Sequence, residues 1–284
     1  MPHLAAHEFL GPTASVRVSR MAQMLEFEGE TARRLEALYT TPAAIARRRE
    51  YVDALLLHSG ERVLDVGCGP GFVAAEMADA IGATGRVCGV DVSESMLALA
   101  RARCGDRIEF LFGDATLLPL DDGVFDVAVA TQVYEYVSDL EAALTELRRV
   151  LRPGGRALIV DTDWESIVWH ASDPQRMRRV LAAWDEHLAD PYLPRTLGVR
   201  LQQAGFVLRR REVRAILETS CGDDTIGGAL IDLILAFVPG RQGVTETDTA
   251  AWAADLRTLS EKGEYFFSLN MYRFLAEKLQ PPSA

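Results

Sequence analysis

The chain has 284 residues, of which 49% are hydrophobic, and its formal net charge is −11 at pH 7. This length suits one large α/β domain with inserted segments, and the acidic balance without a basic stripe argues against a nucleic-acid substrate. We expect neither a signal peptide nor a membrane span, because no apolar run has the required flanks or length. The four cysteines lack metal-ligand spacing. These features together predict a cytoplasmic protein with reduced thiols and no bound metal.

The spacing of hydrophobic residues predicts the elements in chain order. Residues 1–18 show no period, residues 20–38 are typical of a helix, and Thr41 with Pro42 predicts the start of a second helix that runs to about Leu57. Strands and helices then alternate, which predicts a parallel, doubly wound sheet with right-handed crossovers. The predicted strands are 62–66, 86–91, 107–112, 125–130 and 156–161, and the predicted helices are 71–81, 94–103 and 139–151.

The pattern becomes less regular after residue 161. The later predictions are helices at 174–188 and 194–204, a strand at 206–217, a mostly helical insertion at 220–262 and a buried strand within 265–274. No repeat or linker interrupts the chain, so we predict a single domain. Its parts are the N-terminal helices over 1–58, a ligand-binding core over 59–161, and a substrate side over 162–284 that carries helical lid insertions and the final strands.

The most informative segment is residues 63–71, with the sequence VLDVGCGPG. An apolar strand carrying Asp65 ends in three alternating glycines before a helix, and glycine at such a turn lets the backbone approach a ligand closely. The spacing is G-x-G-x-G rather than the G-x-G-x-x-G of NAD-binding folds, and Pro70 lacks an N–H that a pyrophosphate would use. An ordinary tight turn between strand and helix is the alternative interpretation.

This string resembles the first motif of the class I S-adenosylmethionine-dependent methyltransferases. Residues 40–161 are similar to the ubiquinone/menaquinone-biosynthesis C-methyltransferase-like group of that family. The resemblance implies a Rossmann-like, doubly wound α/β sheet of seven mostly parallel strands, with an antiparallel last strand and helical cap insertions. It also implies S-adenosylmethionine as the cofactor. The motif residues that would contact this cofactor are Gly67, Cys68, Gly69 and Gly71, together with Val92 after the second strand.

Acidic residues after the next strands match the family's contacts to the adenosine. Asp91 follows the last motif glycine by about 20 residues, where dinucleotide folds bind ribose hydroxyls, and the resemblance gives it the cofactor ribose; capping the next helix is the alternative. Met96 matches a position that packs on adenine, or else it belongs to the core. The next predicted contacts are in the segment that begins at Gly113. The resemblance implies that Asp114 accepts from adenine N6 and that the Ala115 N–H donates to the adenine ring. An Asx turn at Asp114 is the alternative.

Further residues are predicted around the methionine end of the cofactor. In the family, the acid at Asp65 contacts the amino group and orders the glycine loop; burial makes an unpaired carboxylate costly. Thr131 and Gln132 follow the fourth strand at its carboxyl end and are predicted to line the methionine moiety. Arg48 lies on an apolar helix face and either reaches the cofactor carboxylate or extends to solvent. Tyr39 is predicted to cover the cofactor or the substrate.

The acceptor side is predicted from residues that follow the fourth and fifth strands. His170 is the candidate general base, with a hydrogen-bonded histidine inside the cap as the alternative. Glu135 and Tyr136 follow the fourth strand and are also candidates to touch the acceptor, near a position where many relatives of the resembled family carry a histidine that this chain lacks. The other predicted acceptor contacts, for which core packing or turn capping is the alternative, are Tyr134, Asp161, Asp163, Trp164, Trp169 and Asn270.

Together these features predict methyl transfer from S-adenosylmethionine to an oxygen, nitrogen or carbon atom of a small-molecule acceptor. The alternatives are a cyclase or decarboxylase that retains the cofactor, a non-catalytic cofactor-binding protein and, least favoured, an NAD enzyme. The motifs leave residues 1–38, 165–193 and 220–262 unexplained, and such cap segments select the substrate. The acceptor and the oligomeric state therefore stay open, with a homodimer as one option.

Overall fold

The computed structural model describes residues 39–222 and 224–280, so residues 1–18 and the predicted helix at 20–38 lie outside the described residues. The strands are β1 (Arg62–Val66), β2 (Arg86–Asp91), β3 (Glu109–Phe112), β4 (Phe125–Thr131), β5 (Leu151–Trp169), β6 (Phe206–Glu218) and β7 (Phe267–Lys278). The helices of eight or more residues are α1 (Pro42–Leu55), α2 (Phe72–Ile81), α3 (Glu94–Cys104), α4 (Leu140–Val150), α5 (Pro174–Trp184), α6 (Pro194–Gln203), α7 (Ile226–Phe237) and α8 (Glu246–Glu261).

The seven strands form one sheet in the order β3-β2-β1-β4-β5-β7-β6. Strands β1 to β5 pair in parallel, and β7 runs antiparallel between β5 and β6. This confirms the predicted fold class, including the antiparallel last strand. The strand order reverses between β1 and β4, and the carboxyl ends of strands at such a reversal leave a crevice that can hold a ligand.

Alternate residues of the central strands face two separate apolar cores. On one face, Val63, Val129 and Val160 pack with residues of α1, α2, α3 and the cap helices α5, α7 and α8. On the opposite face, Leu64 and Ala128 pack with residues of α4 and α6. Helices on both sides explain why β1 and β4 are almost entirely buried and apolar, as parallel strands usually are.

Helix α1 shows how local chemistry sets the boundaries of an element. The side chain of Thr41 accepts a hydrogen bond from the Ala44 N–H at 3.2 Å, and Pro42 occupies the first helical turn. Both features match the sequence prediction. The helix ends two residues before the predicted Leu57, because Leu56 adopts the left-handed conformation with φ 49°.

Strand β5 is much longer than the six residues predicted. It continues to Trp169 because β7 pairs with it up to that residue, with an irregular register between Asp163 and Val168. Pairing with a distant strand supplies the ladder hydrogen bonds that the local pattern does not predict. The ends of β5, β6 and β7 project past the carboxyl edge of β4, and residues of α5, α7 and α8 pack against them. The insertion is therefore helical, as predicted.

No helix within residues 39–222 and 224–280 combines the length and the apolar character needed to cross a lipid bilayer.

Candidate functional site

The three glycines after β1 have different surroundings although all have positive φ, with 65° at Gly67, 50° at Gly69 and 79° at Gly71. A Cβ on Gly67 would overlap the side chain of Val133, and one on Gly71 would lie 3.0 Å from the Cβ of Ala100. A Cβ on Gly69 would meet nothing within 4 Å. The outer glycines therefore permit close packing, whereas the middle one leaves open backbone in front of the crevice.

Asp91, at the carboxyl end of β2, holds this loop in place. One carboxylate oxygen accepts from the Gly69 N–H at 2.8 Å, and the other accepts from the Ser93 N–H at 2.9 Å. Burial raises the pKa of Asp91, and these two backbone donors oppose the increase. The N-cap of α3 is Ser93 rather than Asp91. Because each carboxylate oxygen accepts about two hydrogen bonds, Asp91 keeps acceptor capacity for a ligand hydroxyl.

Asp65 lies in β1 directly below the glycine loop and is fully buried. Its Oδ2 atom has no hydrogen-bond partner among the described residues, and the Ala74 backbone N–H on α2 bonds to the carboxyl group. Burial and the nearby charge of Asp91 raise the pKa of Asp65 to about 8. An unsatisfied buried carboxyl group is costly. A cationic ligand group in the crevice would stabilise Asp65 by pairing with it.

The raised pKa of Asp65 predicts a measurable pH dependence of stability. The folded protein keeps a proton that the unfolded chain releases above the ordinary pKa of 3.8. The associated stability is complete below pH 3.8 and is lost as the pH rises to about 8, by at most ~1.4 kcal/mol per pH unit. We expect Asp65→Asn to flatten the decline in unfolding free energy between pH 5 and 8, measured by urea unfolding without cofactor. The exposed Asp53→Asn is the control, and equal slopes for all three proteins would contradict the assignment.

The residues predicted for adenine lie at the carboxyl ends of β2 and β3. Val92 is exposed, Met96 is buried without belonging to either apolar core, and Ala115 is buried. Asp114 Oδ1 accepts from both the N–H and the hydroxyl of Thr116 at 2.8 Å, which is the Asx turn given as the alternative. That turn leaves the second carboxylate oxygen of Asp114 available. Sequence reasoning missed Phe112, which precedes Gly113 and is 53% exposed.

Arg48 is buried, so its side chain does not extend into solvent, and its contact with the cofactor carboxylate stays a prediction. Its guanidinium pairs with Glu76 on α2 at 2.7 Å, donates to the carbonyl of Tyr39 and lies 4.8 Å from the ring centre of Phe72. The rings of Tyr39 and Phe72 are 5.7 Å apart. Burial raises the pKa of Tyr39, and Asp91 adds to the increase. Arg48 thus fixes Tyr39 near the start of α2, within electrostatic range of Asp91.

The turn after β4 is held by β5. Gln132 has φ 56°, a conformation that non-glycine residues rarely adopt and that often occurs at functional sites. Its backbone N–H donates to the Val160 carbonyl at 2.7 Å, and its side-chain oxygen accepts from the Thr162 hydroxyl at 2.7 Å. Thr131 precedes it and is half-buried. The two residues therefore lie at the crevice, where the sequence predicted them.

Three predicted acceptor residues have structural roles instead. Tyr134 is 1% exposed and packs in the apolar core on the α4 side of the sheet. Both carboxylate oxygens of Asp163 are bound by the guanidinium of Arg195 at 2.8 Å, which ties α6 to β5. Trp169 donates to the hydroxyl of Tyr265 at 2.8 Å and packs inside the cap. These contacts correct the prediction that the three side chains bind the acceptor.

The prediction that His170 is a general base is also corrected. His170 is exposed, and its backbone pairs with Phe266, whereas Asp161 pairs with Tyr272. These two partners are six positions apart in the chain, so His170 lies about 20 Å from Asp161 along the sheet. The residue therefore does not reach the crevice at the end of β4. Asn270, on β7 between these two partners, is half-buried, and its acceptor role stays a prediction.

Sequence reasoning predicted Trp164 as an acceptor contact but missed the cluster that Trp184 and His187 form around it. The indole N–H of Trp164 donates to Glu135 Oε2 at 3.2 Å, and its ring lies 5.0 Å from that of His187 and 5.9 Å from that of Trp184. Trp184 and His187 stack at 3.8 Å. The sequence gives no signal for this grouping, because residues 184 and 187 fall near the end of a predicted helix with an ordinary amphipathic pattern.

The same cluster contains buried polar atoms without partners among the described residues. These atoms are Glu135 Oε1, Asp161 Oδ2, Trp184 Nε1 and His187 Nε2. Burial raises the pKa of Glu135 to about 8 and lowers that of His187 to about 4. Burial and the neighbouring Glu135 raise the pKa of Asp161. The cluster is therefore buried and keeps unpartnered polar atoms next to the carboxyl end of β4, the kind of site that accepts a ligand.

Comparison with known proteins shows which family this part of the chain resembles. Residues 64–159 match the family model described as "Methyltransferase domain". A Streptomyces fradiae protein described as "Uncharacterized 37.1 kDa protein in transposon TN4556" is 40% identical over 158 residues, which are 55% of this chain and 45% of that protein. The Pseudomonas putida "Ubiquinone/menaquinone biosynthesis C-methyltransferase UbiE" is 40% identical over 110 residues, which are 37% of this chain and 43% of that protein.

A solved structure of the same fold is the Haemonchus contortus phosphoethanolamine N-methyltransferase 2 in complex with S-adenosyl-L-methionine. It has a TM-score of 0.57 and 19% identity, and the match covers 88% of this chain and 57% of that one. Residues 64–159 of our chain are therefore similar to methyltransferase domains, and about 110 residues are similar to the methyltransferases of ubiquinone and menaquinone biosynthesis. The chain spans less than half the length of the two curated relatives described above.

Proposed function

We propose that the protein transfers the methyl group of S-adenosylmethionine to an oxygen, nitrogen or carbon atom of a small-molecule acceptor. The observation that carries this proposal is the open backbone at Gly69, whose N–H donates to the carboxylate of Asp91 and which follows the buried Asp65 after β1. The match of residues 64–159 to a methyltransferase domain supports the same function.

The residues around the crevice fit the chemical groups of the cofactor. Asp91 would accept from the ribose hydroxyls, Asp114 and Ala115 would bind the adenine edge, and the unused oxygen of Asp65 would bind the α-amino group. The cationic amino group would also neutralise the charge that makes a buried Asp65 costly. Bound S-adenosylmethionine supplies an activated methyl group on a positively charged sulfur.

The protein's own contribution is alignment and the exclusion of water. Methyl transfer is an in-line displacement in which charge disperses, so close alignment in a dry site lowers the barrier. Gln132, locked to Thr162 and Val160, fixes the turn at the end of β4. Tyr39, held by Arg48, lies within electrostatic range of Asp91 and would cover the cofactor. None of these roles requires a nucleophile from the protein.

Calorimetry tests the cofactor before the reaction. We expect S-adenosylhomocysteine to bind with one site per chain and NAD to give no heat of binding under the same conditions. The full chain is then incubated with methyl-labelled S-adenosylmethionine and a panel of metabolites, and the products are analysed for the label. Label in an acceptor supports methyl transfer, and binding of NAD in place of S-adenosylhomocysteine would overturn the proposal.

The same experiment separates the alternatives. Turnover of a metabolite without transfer of the label would indicate cyclase or decarboxylase chemistry that retains the cofactor. Tight binding of S-adenosylhomocysteine with no turnover of any metabolite would indicate a cofactor-binding protein without catalytic activity. Both results contradict methyl transfer while leaving the cofactor assignment intact, because affinity and label transfer are measured independently.

A further inference from the structure

We propose that the cluster formed by Glu135, Asp161, Trp164, Trp184 and His187 binds the basic nitrogen of an amine acceptor. This inference rests on the proposed function and narrows its acceptor to small-molecule amines. Thr162 connects the cluster to the crevice. Its hydroxyl donates to the side chain of Gln132, and its backbone N–H donates to Glu135 at 3.0 Å. A ligand nitrogen held here would therefore lie beside the turn predicted to line the methionine end of the cofactor.

The charge balance of the cluster favours a cation. Glu135 and Asp161 are both completely buried, and the groups that set their pKa values include no arginine or lysine among the described residues. Asp163, two residues further on, shows the contrast, because Arg195 binds both of its oxygens. Two adjacent buried carboxyl groups without a counter-ion are unfavourable. A ligand ammonium group would supply the missing charge.

The hydrogen-bonding capacity of the cluster also matches an ammonium group. His187 Nδ1 contacts the carbonyl of Trp184, which makes Nδ1 the donor nitrogen and leaves Nε2 as an acceptor. The unpartnered acceptors are thus Glu135 Oε1, Asp161 Oδ2 and His187 Nε2. A primary ammonium group has three N–H donors. A hydroxyl group has only one, so it would leave most of these acceptors unsatisfied.

Aromatic rings complete the site. Trp164 and Trp184 are arranged edge to face with their ring centres 5.9 Å apart, and His187 stacks on Trp184. The faces of tryptophan rings attract ammonium groups and the methyl groups attached to them. Glu135 would serve first as the counter-ion and then as the base: the proton leaves the nitrogen for the carboxylate oxygen, which yields a neutral amine and a neutral carboxyl group. A carboxyl group whose pKa is about 8 suits this exchange.

Shape-matched pairs of probes test the inference on the full chain saturated with S-adenosylhomocysteine. Methylamine and benzylamine are compared with methanol and benzyl alcohol by calorimetry and by NMR of the indole N–H signals. We expect at least one amine to bind at least tenfold more tightly than its alcohol. The signals of Trp164 and Trp184 should shift, whereas those of Trp169 and Trp252, which pack against each other in the cap, should not.

The matched variants are Glu135→Gln and Glu141→Gln. The first keeps an acceptor for the Thr162 N–H and the Trp164 indole but removes the charge, so amine affinity should fall at least tenfold. The second neutralises an exposed carboxylate on α4 and should leave amine affinity unchanged.

Equal affinity for amines and alcohols, or no binding by any amine, would overturn the inference and indicate that the polar atoms hold only water. If the unmodified protein does not bind S-adenosylhomocysteine, the result would instead contradict the proposed function. Label transfer to an alcohol or carbon acceptor, without selective amine binding, would support the proposed function and overturn the amine site alone.

Discussion

Replacing Asp91 with alanine is expected to lower the affinity for S-adenosylhomocysteine at least tenfold, which corresponds to about 1.4 kcal/mol or more. The carboxylate is the proposed acceptor for the ribose hydroxyls, and it also holds the Gly69 N–H at 2.8 Å. The variant therefore loses a ligand contact and the ordering of the loop that approaches the ligand. Calorimetric titration of the folded variant gives the change in affinity directly.

The stability of the same variant needs a control, because Asp91 also accepts from the Ser93 N–H. Loss of two carboxylate hydrogen bonds is expected to reduce the free energy of unfolding by about 2–3 kcal/mol. Asp139→Ala removes a comparable bond, from the Ala142 N–H at the start of α4, at an exposed site. This control should lose about 1 kcal/mol of stability and keep its affinity. Unchanged affinity in a folded Asp91→Ala protein would reject the ribose assignment.

Alanine substitutions at Gly69 and Gly71 are expected to affect different properties. The substitution at Gly71 should mainly reduce stability, and the one at Gly69 should mainly reduce cofactor affinity. Gly71→Ala should reduce the free energy of unfolding by about 3 kcal/mol or more, since its φ of 79° is strained for alanine and its Cβ would press on Ala100 and Phe110. Gly69→Ala should cost only about 1–2 kcal/mol, because its Cβ meets no protein atom within 4 Å. It should nevertheless weaken S-adenosylhomocysteine binding at least tenfold by filling the space left for the ligand.

Thermal unfolding and calorimetry on the two alanine variants separate these effects. The comparison is informative because both glycines lie in one turn, both have positive φ and both receive the same added methyl group. If Gly69→Ala binds S-adenosylhomocysteine as tightly as the unmodified chain, the open backbone is not the cofactor site. If Gly71→Ala is as stable as the unmodified chain, the packing of α3 against the loop has been misassigned.

Much of the candidate site could be predicted because its signals are local. The run at residues 63–71 combines an apolar strand, a buried acid and a turn of glycines within nine positions, and each feature acts on its neighbours in the chain. Asp91 and Gln132 follow apolar strands directly, so the parallel arrangement of those strands brings them to one edge. The structure places both residues there.

The acceptor side could not be predicted in the same way, because its contacts join distant segments. Asp163 resembles a free carboxylate in the sequence, and its partner Arg195 lies 32 residues further along the chain. His170 was predicted to lie near the crevice because it follows the predicted strand 156–161 within a short segment. Pairing with β7 extends β5 past the crevice and carries His170 away from it.

The sequence by itself determined the alternation of strands and helices, the parallel core and the glycine turn, since hydrophobic period and turn chemistry depend on neighbouring residues. Only the tertiary structure decided which acids are paired, which histidine is buried and which tryptophans face each other. Glu135 and His187 became neighbours of Trp164 because the end of β4 and the segment after α5 fold against the extended β5. Burial and charge balance at those positions depend on partners that the chain brings together only when it is folded.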